Sequence, residues 1–303
     1  MSSLIEQAAK RLAQLKKAGV ELPETPAPQQ VQAEAPAAPP PRGSAQPSSA
    51  SNEPAATSRK VDLDLLAIAA SGIVTPNAPR SAIADEYRII KRPLISNALG
   101  KGAAPIAKGN LIMITSALPG EGKSFTSINL AMSMAAEMDT TVMLVDADVA
   151  RPSILSTLGL PPARGLLDVL VNDSVDLSDV LLKTNIDKLT ILPSGTRQER
   201  ATELLASDAM ARLLDDMASR YADRIIIFDS PPLLLTTEAR ELARHMGQVV
   251  LVVKAEETLQ ADVRHALATI VDCPVKLMML NQARSGKGVG YGYAYGYGYG
   301  EQI

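Results

Sequence analysis

Pro119-Gly120-Glu121-Gly122-Lys123-Ser124 is the stretch of this chain whose residue types and spacing carry the most specific chemistry. A bound polyphosphate requires backbone N–H groups turned toward it, a cation that reaches its outer phosphates and a hydroxyl for Mg2+. The glycines permit the first, and Lys123 and Ser124 supply the others. The run departs from G-x-x-x-x-G-K-[ST] at one position, where the small residue Ala117 replaces the first glycine. Further on, Asp146 and Asp148 stand at D-x-D spacing and Asp229 precedes Ser230-Pro231-Pro232, at the ends of apolar runs. A lone aspartate after a strand is ordinarily a cap or turn residue, but a pair beside a phosphate loop fits a catalytic or magnesium role. Asp229 has the setting of a second magnesium motif, emerging from a buried strand to hold a metal-bound water. Which of Asp146 and Asp148 takes a proton and which assists the metal stays open at this level.

Five phenols complete the reactive inventory. Tyr291, Tyr293, Tyr295, Tyr297 and Tyr299 alternate with Gly or Ala, in a protein with 7 Tyr, 2 Phe and no Trp, so aromatic content has moved from the core into the tail. Glycine at almost every other position removes the packing and entropy advantages a strand needs, which favours a flexible tether. Such a segment is either an adhesive low-complexity tail or, beside a magnesium-nucleotide site, a set of phosphoryl acceptors.

The elements that must position these groups follow from the hydrophobic pattern. Residues 110–138 read as a buried strand, a tight turn and an amphipathic helix; 141–147, 188–193, 224–229, 248–254 and 275–281 read as further strands, with helices at 202–221 and 261–271. Nearly continuous apolar strands alternating with helices predict an α/β fold, a doubly wound, mostly parallel sheet with helices on both faces. Strand ends at the carboxyl edge of such a sheet are where ligands sit.

Upstream, Leu4, Ile5, Ala8, Leu12 and Leu15 fall at helical spacing, so 1–20 is an amphipathic helix that docks on a partner or membrane surface, or else a solvated terminus. Residues 21–60, rich in Pro, Ala, Gln and Ser, read as an extended disordered linker. A short helix and turn fill 61–80, and the folded domain is expected over 81–284, followed by the tail 285–303. Ile83, Tyr87, Ile90 and Leu94 give 81–97 one apolar helical face, which Pro93 should end or kink.

Composition excludes several classes. A net charge of −3 over 303 residues gives no argument for nucleic-acid binding. Cys273 is the only cysteine, which leaves neither an intramolecular disulfide nor a multi-cysteine zinc site, and His245 and His265 are far apart in predicted helices. No secretory signal and no run of 18 uncharged apolar residues occurs, so a cytoplasmic chain recruited to the membrane's inner face by a partner is expected.

Four features in order, S-A-L-P-G-E-G-K-S at 116–124, V-D-A-D followed by Arg151-Pro152, F-D-S-P-P at 228–232 and the tyrosine cluster, resemble the bacterial tyrosine kinases (BY-kinases) of the exopolysaccharide- and exosortase-associated autokinase group. The resemblance covers roughly residues 80–303 and implies a P-loop NTPase-type domain that binds Mg·ATP. Pro119, Gly120, Glu121, Gly122, Lys123, Ser124, Phe125 and Asn281 would then line the ATP site. Asn281 matches a base-contacting asparagine, although a strand-end turn residue reads equally well. Ser124, Asp146 and Asp229 would serve the metal, and Lys123, Asp146, Asp148 and Asp229 the catalysis. It also implies autophosphorylation of Tyr291 to Tyr299 in trans, a ring-like homo-oligomer, a separate membrane co-polymerase as activator and a cognate tyrosine phosphatase. The family's E-x-x-R-x-x-R interface helix aligns with Asp85, Arg88 and Lys91, keeping the charges but not the residue types. The competing class is a partitioning or septum-positioning ATPase switch, which carries K-G-G-x-G-K-[ST]; here its first lysine is Leu118. A third is a non-catalytic nucleotide-binding scaffold, which has no need of all of Lys123, Ser124, Asp146, Asp148 and Asp229.

Overall fold

The computed structural model of the chain describes residues 59–76 and 81–283. The expectations for 1–20, for all but the end of the linker 21–60 and for the tyrosine tail lie outside these residues. Strands β1 (Arg59–Val61), β2 (Leu111–Ser116), β3 (Thr141–Asp146), β4 (Leu182–Thr184), β5 (Leu189–Leu192), β6 (Arg224–Asp229), β7 (Gln248–Lys254) and β8 (Val275–Asn281) form one sheet in the order β1-β4-β5-β3-β6-β2-β7-β8. Every neighbouring pair is parallel except β4 and β5. The central strands read as unbroken apolar runs because both faces are covered. Leu111, Met113, Ile226 and Phe228 enter one core, while Ile112, Ile114, Ile225 and Ile227 enter the other.

The helices are α1 (Leu65–Ala70), α2 (Ala82–Ala98), α3 (Lys123–Ala135), α4 (Ile154–Thr157), α5 (Leu166–Val171), α6 (Leu177–Val180), α7 (Ala201–Leu205), α8 (Asp208–Arg220), α9 (Thr237–Arg244) and α10 (Gln260–Ala268). Among the described residues no helix is long and apolar enough to cross a membrane. The single helix expected over 202–221 is two: after α7 the chain restarts at Ser207, whose side chain accepts from Met210 N. Pro93 does not end α2. It lies on the exposed side beside Ile89, away from the buried Tyr87, Lys91 and Leu94, so the carbonyl that loses its intrahelical partner is not trapped in the core.

The expected domain start at residue 81 is corrected. Folded structure begins at β1, which pairs with β4, and Leu63, Ile68 and Ile73 are buried in the core that covers α3. Asn185 clamps the segment by accepting from Leu63 N and donating to Leu63 O, and Asn129 of α3 accepts from Val74 N at 2.8 Å. A three-residue strand at the end of a Pro/Ala-rich run has too little periodicity to be read from sequence. Residues 59–76 are therefore part of the domain that supports the phosphate loop.

Candidate active site

The β2 strand delivers the chain into the loop, and Ala117, at the missing glycine's position, is fully buried in the core. Gly120 and Gly122 have φ of +81° and +94°, which L side chains rarely adopt. Space enforces the second as well, since a Cβ on Gly122 would lie 2.1 Å from Asn281 Nδ2. Asn281 donates to Glu121 O at 2.9 Å, so the end of β8 is tied to the loop. Glu121 itself turns inward. Its carboxylate accepts from Leu118 N at 2.7 Å and from the Thr258 hydroxyl, so this side chain braces the loop, and what it can offer a phosphate is its backbone amide. Thr258, in the turn before α10, had no mark in the sequence. The Phe125 side chain is half-buried against the core, and what it can offer the nucleotide from that position is its backbone amide.

The three aspartates converge where expected. Asp146 and Asp229 are paired across adjacent strands β3 and β6, about 4.8 Å apart in backbone spacing. Lys123 Nζ lies 2.8 Å from Asp148 Oδ2 in a largely buried ion pair. The Asp229 Oδ1 accepts from Ser127 Oγ at 3.2 Å, and the Ser124 side chain lies near enough to oppose the upward push of burial on this carboxyl. Asp229 Oδ2 is buried and has no partner. An orphaned carboxylate oxygen beside a P-loop hydroxyl fits Mg2+, which prefers a few protein oxygens and completes its shell with phosphate and water. Among the described residues no group of three or more His, Cys, Asp and Glu could hold a metal by itself.

Asp146 is oriented by the backbone: its Oδ2 accepts from Ser153 N at 3.1 Å and Ile154 N at 3.0 Å, where the chain turns into α4. Its Oδ1 is buried without a partner. Burial, with Asp229 and Asp148 adding repulsion, pushes the Asp146 carboxyl up to about 7 against the pull of those two amides. Burial likewise raises Asp229 to about 6, with Lys123 opposing it. Two carboxyls raised this far near one cation are waiting for positive charge or for protons.

The interface expectation changes at one residue. Asp85 and Arg88 form an exposed i, i+3 pair on α2, but Lys91 is 5% exposed. Its ammonium donates to Ser133 O and pairs with Glu137 at 2.7 Å, both at the end of α3. Lys91 is thus a brace on the helix that carries Lys123 and Ser124, while Asp85 and Arg88 stay on the exposed side. Spacing could not reveal this, because Lys91 falls on the same helical side as Tyr87 and Leu94 and reads as a break in the apolar face. The tyrosine cluster lies outside the described residues.

A parallel sheet, a glycine loop feeding a helix N-terminus and acidic strand ends beside it define the P-loop nucleotide-binding class. Residues 109–277 match the family model described as an AAA domain. Over 206 residues the chain is 30% identical to the tyrosine-protein kinase YwqD of Bacillus subtilis (strain 168), covering 68% of this chain and 83% of YwqD. It is 29% identical to the succinoglycan biosynthesis transport protein ExoP of Rhizobium meliloti (strain 1021), covering 69% of this chain and 26% of that longer protein. The crystal structure of the chimerical protein CapA2B2 superposes with a TM-score of 0.58 at 30% identity, over 69% of this chain and 89% of the other. The chain belongs to the family of bacterial tyrosine-protein kinases.

Proposed function

We propose that this chain is a Mg·ATP-dependent tyrosine autokinase that phosphorylates Tyr291, Tyr293, Tyr295, Tyr297 and Tyr299 of a neighbouring copy. The observation that carries the reading is the convergence on one loop of Lys123, Ser124 and three buried aspartates, two of which keep an oxygen without a partner. The amides from Gly120 to Ser124, with Lys123, hold the triphosphate, and Asn281 sits where the nucleoside would lie. Ser124 and Asp229 hold Mg2+, which supplies charge neutralisation on the phosphate oxygens. The acceptor phenol, un-ionised at neutral pH, bonds through its oxygen to the γ-phosphorus. Its proton passes to Asp146 or Asp148, and the bond to the β-phosphate oxygen breaks to release ADP.

By the same reading the chain forms a ring-like homo-oligomer in which Asp85 and Arg88 take part. Phosphorylation, adding about −1.5 to −2 charges per tyrosine, loosens it, and a cognate phosphatase restores it. A separate membrane co-polymerase activates the kinase and holds it at the inner face of the membrane, in exopolysaccharide or capsule synthesis and export; the likeness to ExoP supports that setting. The ATPase-switch alternative needs a lysine at Leu118, and that side chain packs on the core while its amide is tied to Glu121.

The test is incubation of the full chain, with and without Lys123→Met, in Mg·ATP, alongside the cytoplasmic segment of a candidate activator, followed by mass spectrometry of the tail peptide. Phosphate on the tail tyrosines that is lost in the variant is the expected result. ADP formation with an unmodified tail would move the protein to the ATPase-switch class.

A further inference from the structure

At the amino ends of β3, β5 and β6, on the sheet edge opposite the phosphate loop, lies a cleft of about 470 Å³ lined by Lys60, Lys183, Thr190, Thr141 and Arg224. The register brings these five together. Lys60 is paired with Lys183 and Lys183 with Thr190, so the three form one row across β1, β4 and β5. Thr190 is paired with Met143, and Thr141, two residues before it on β3, is paired with Arg224, so alternation turns both to the same face. Like charges directly opposite one another on neighbouring strands are destabilising. Among the described residues no carboxylate comes within salt-bridge distance of either lysine, although Asp62 and Asp187 also line the cleft. A pair that costs stability and has no partner is the kind of local conflict that marks a binding site. Resting on the autokinase reading, we infer that this cleft binds the phosphorylated tyrosine tail of a second copy.

Three cations against two carboxylates leave the cleft little net field, so its ligand is chosen by placement. Arg224 supplies a fork that matches phosphate oxygens; it lies over the Tyr221 ring at 4.9 Å, with Asp223 Oδ1 standing off at 3.8 Å. Lys183 and Arg224 are three strand spacings apart, about 14 Å, and two residues out of line. An extended chain carries the side chains of residues i and i+4 on one face about 13 Å apart. Phosphates on Tyr291 and Tyr295 fit that interval, and one on Tyr293 falls between, above the hydroxyls of Thr190 and Thr141. The tail that does this belongs to another copy. The eight residues from 283 to Tyr291 span at most about 29 Å. The end of β8 is six strand spacings from β4, itself about 29 Å, and the cleft lies a further strand length, roughly 20 Å, down the sheet. Once phosphorylated, the tail is repelled by Asp146, Asp148 and Asp229 and has an address at the opposite edge of the sheet.

The experiment uses the full chain with its five tail tyrosines changed to Phe, and a fluorescent peptide of residues 289–300 synthesised with phosphate on Tyr291 and Tyr295. Anisotropy should show binding that weakens with added salt, and the unphosphorylated peptide should bind at least about tenfold more weakly. Lys183→Glu is expected to raise the Kd about tenfold or more with nucleotide affinity unchanged. Its Tm should not fall, because the new carboxylate faces Lys60 in register. Phosphates on Tyr291 and Tyr293 should bind less tightly than phosphates on Tyr291 and Tyr295. Equal affinity for the phosphorylated and unphosphorylated peptides, or a Kd that neither Lys183→Glu nor Lys60→Glu moves, overturns the site. Inorganic phosphate that displaces the peptide at the peptide's own concentration overturns the tail as occupant and leaves a site for free phosphate. Binding that Lys183→Glu abolishes, in a protein whose native tail never gains phosphate in Mg·ATP with activator, upholds the cleft and overturns the autokinase reading. A native tail that is phosphorylated, with the synthetic phosphopeptide unbound, does the reverse.

Discussion

Lys91→Met keeps the aliphatic stem of Lys91 and removes only its charge, and the structure says what that costs. The ammonium, in a side chain 6% exposed, loses its bond to Ser133 O and its pair with Glu137. Hydrogen bonds involving a charged group contribute about 1.5–3 kcal/mol, and breaking a fully buried pair costs about 3–5 kcal/mol. Glu137 is 26% exposed and keeps Arg92 at 3.5 Å, so it is not stranded, and the low end applies: about 2 kcal/mol. For a domain of this size that is a Tm lower by about 4–8 °C. The pH dependence separates this from lost packing. Lys91, first by its hydrogen bond, holds the Glu137 carboxyl below the usual range. The pair's stabilisation is therefore present above the unfolded pKa of about 4.3 and lost as pH falls through the folded value. Scanning calorimetry of both proteins at pH 7 and pH 3 should show the gap narrow on acidification, the bond to Ser133 O remaining. An equal gap at both values, or one under about 1 °C at pH 7, refutes the brace. If Lys91 instead served an interface, the variant would dissociate the oligomer while leaving the Tm of the subunit alone.

Asp146→Asn should raise the nucleotide-free protein's Tm at pH 7.5 relative to pH 5. A carboxyl raised to about 7 binds a proton that the unfolded chain gives up near 4, so its contribution to stability falls as pH rises between those values. A wild-type minus variant difference that does not grow more negative with pH removes the argument. A chain beginning at residue 81 should be destabilised by more than 10 °C or be insoluble. It loses Leu63, Ile68 and Ile73, worth about 1.5–3 kcal/mol each when buried; circular-dichroism melting decides it. Gly122→Ala should weaken nucleotide binding at least about tenfold by titration calorimetry, and Asn281→Ala should restore only part of it. With binding referred to the Asn281→Ala single variant, which loses that residue's own part in the nucleotide site, removing the clash still leaves the left-handed backbone, which costs a non-glycine residue roughly 1–2 kcal/mol. Full rescue would mean that the conformation at Gly122 is not needed.

The sheet was legible because burial on both faces writes a strand as an unbroken apolar run, and RIIIFD or QVVLVVK cannot be mistaken for an amphipathic helix. What escaped the pattern was short or contrary to it. Strand β1 has three residues, the antiparallel β4 another three, and α4 to α6 are single turns or little more. Elements of that length are held by partners distant in sequence, β4 for the first, and carry almost no periodicity of their own.

At the site the same distinction holds between residues chosen by chemistry and residues chosen by support. Lys123, Ser124 and the aspartates are legible because phosphate and magnesium demand those types at those strand ends. Glu121 was placed in the nucleotide site by its position in the loop and Lys91 at an interface by its charge, and the structure turns both side chains inward, onto Leu118 and Thr258 and onto Ser133 and Glu137. A buried charge with fixed hydrogen bonds constrains geometry, and these two hold the ends of one unit: Glu121 fixes the mouth of the loop and Lys91 the far end of the helix it feeds. The helix that carries Lys123 is thereby tied to α2, while Asp85 and Arg88 of α2 stay exposed and pair with each other.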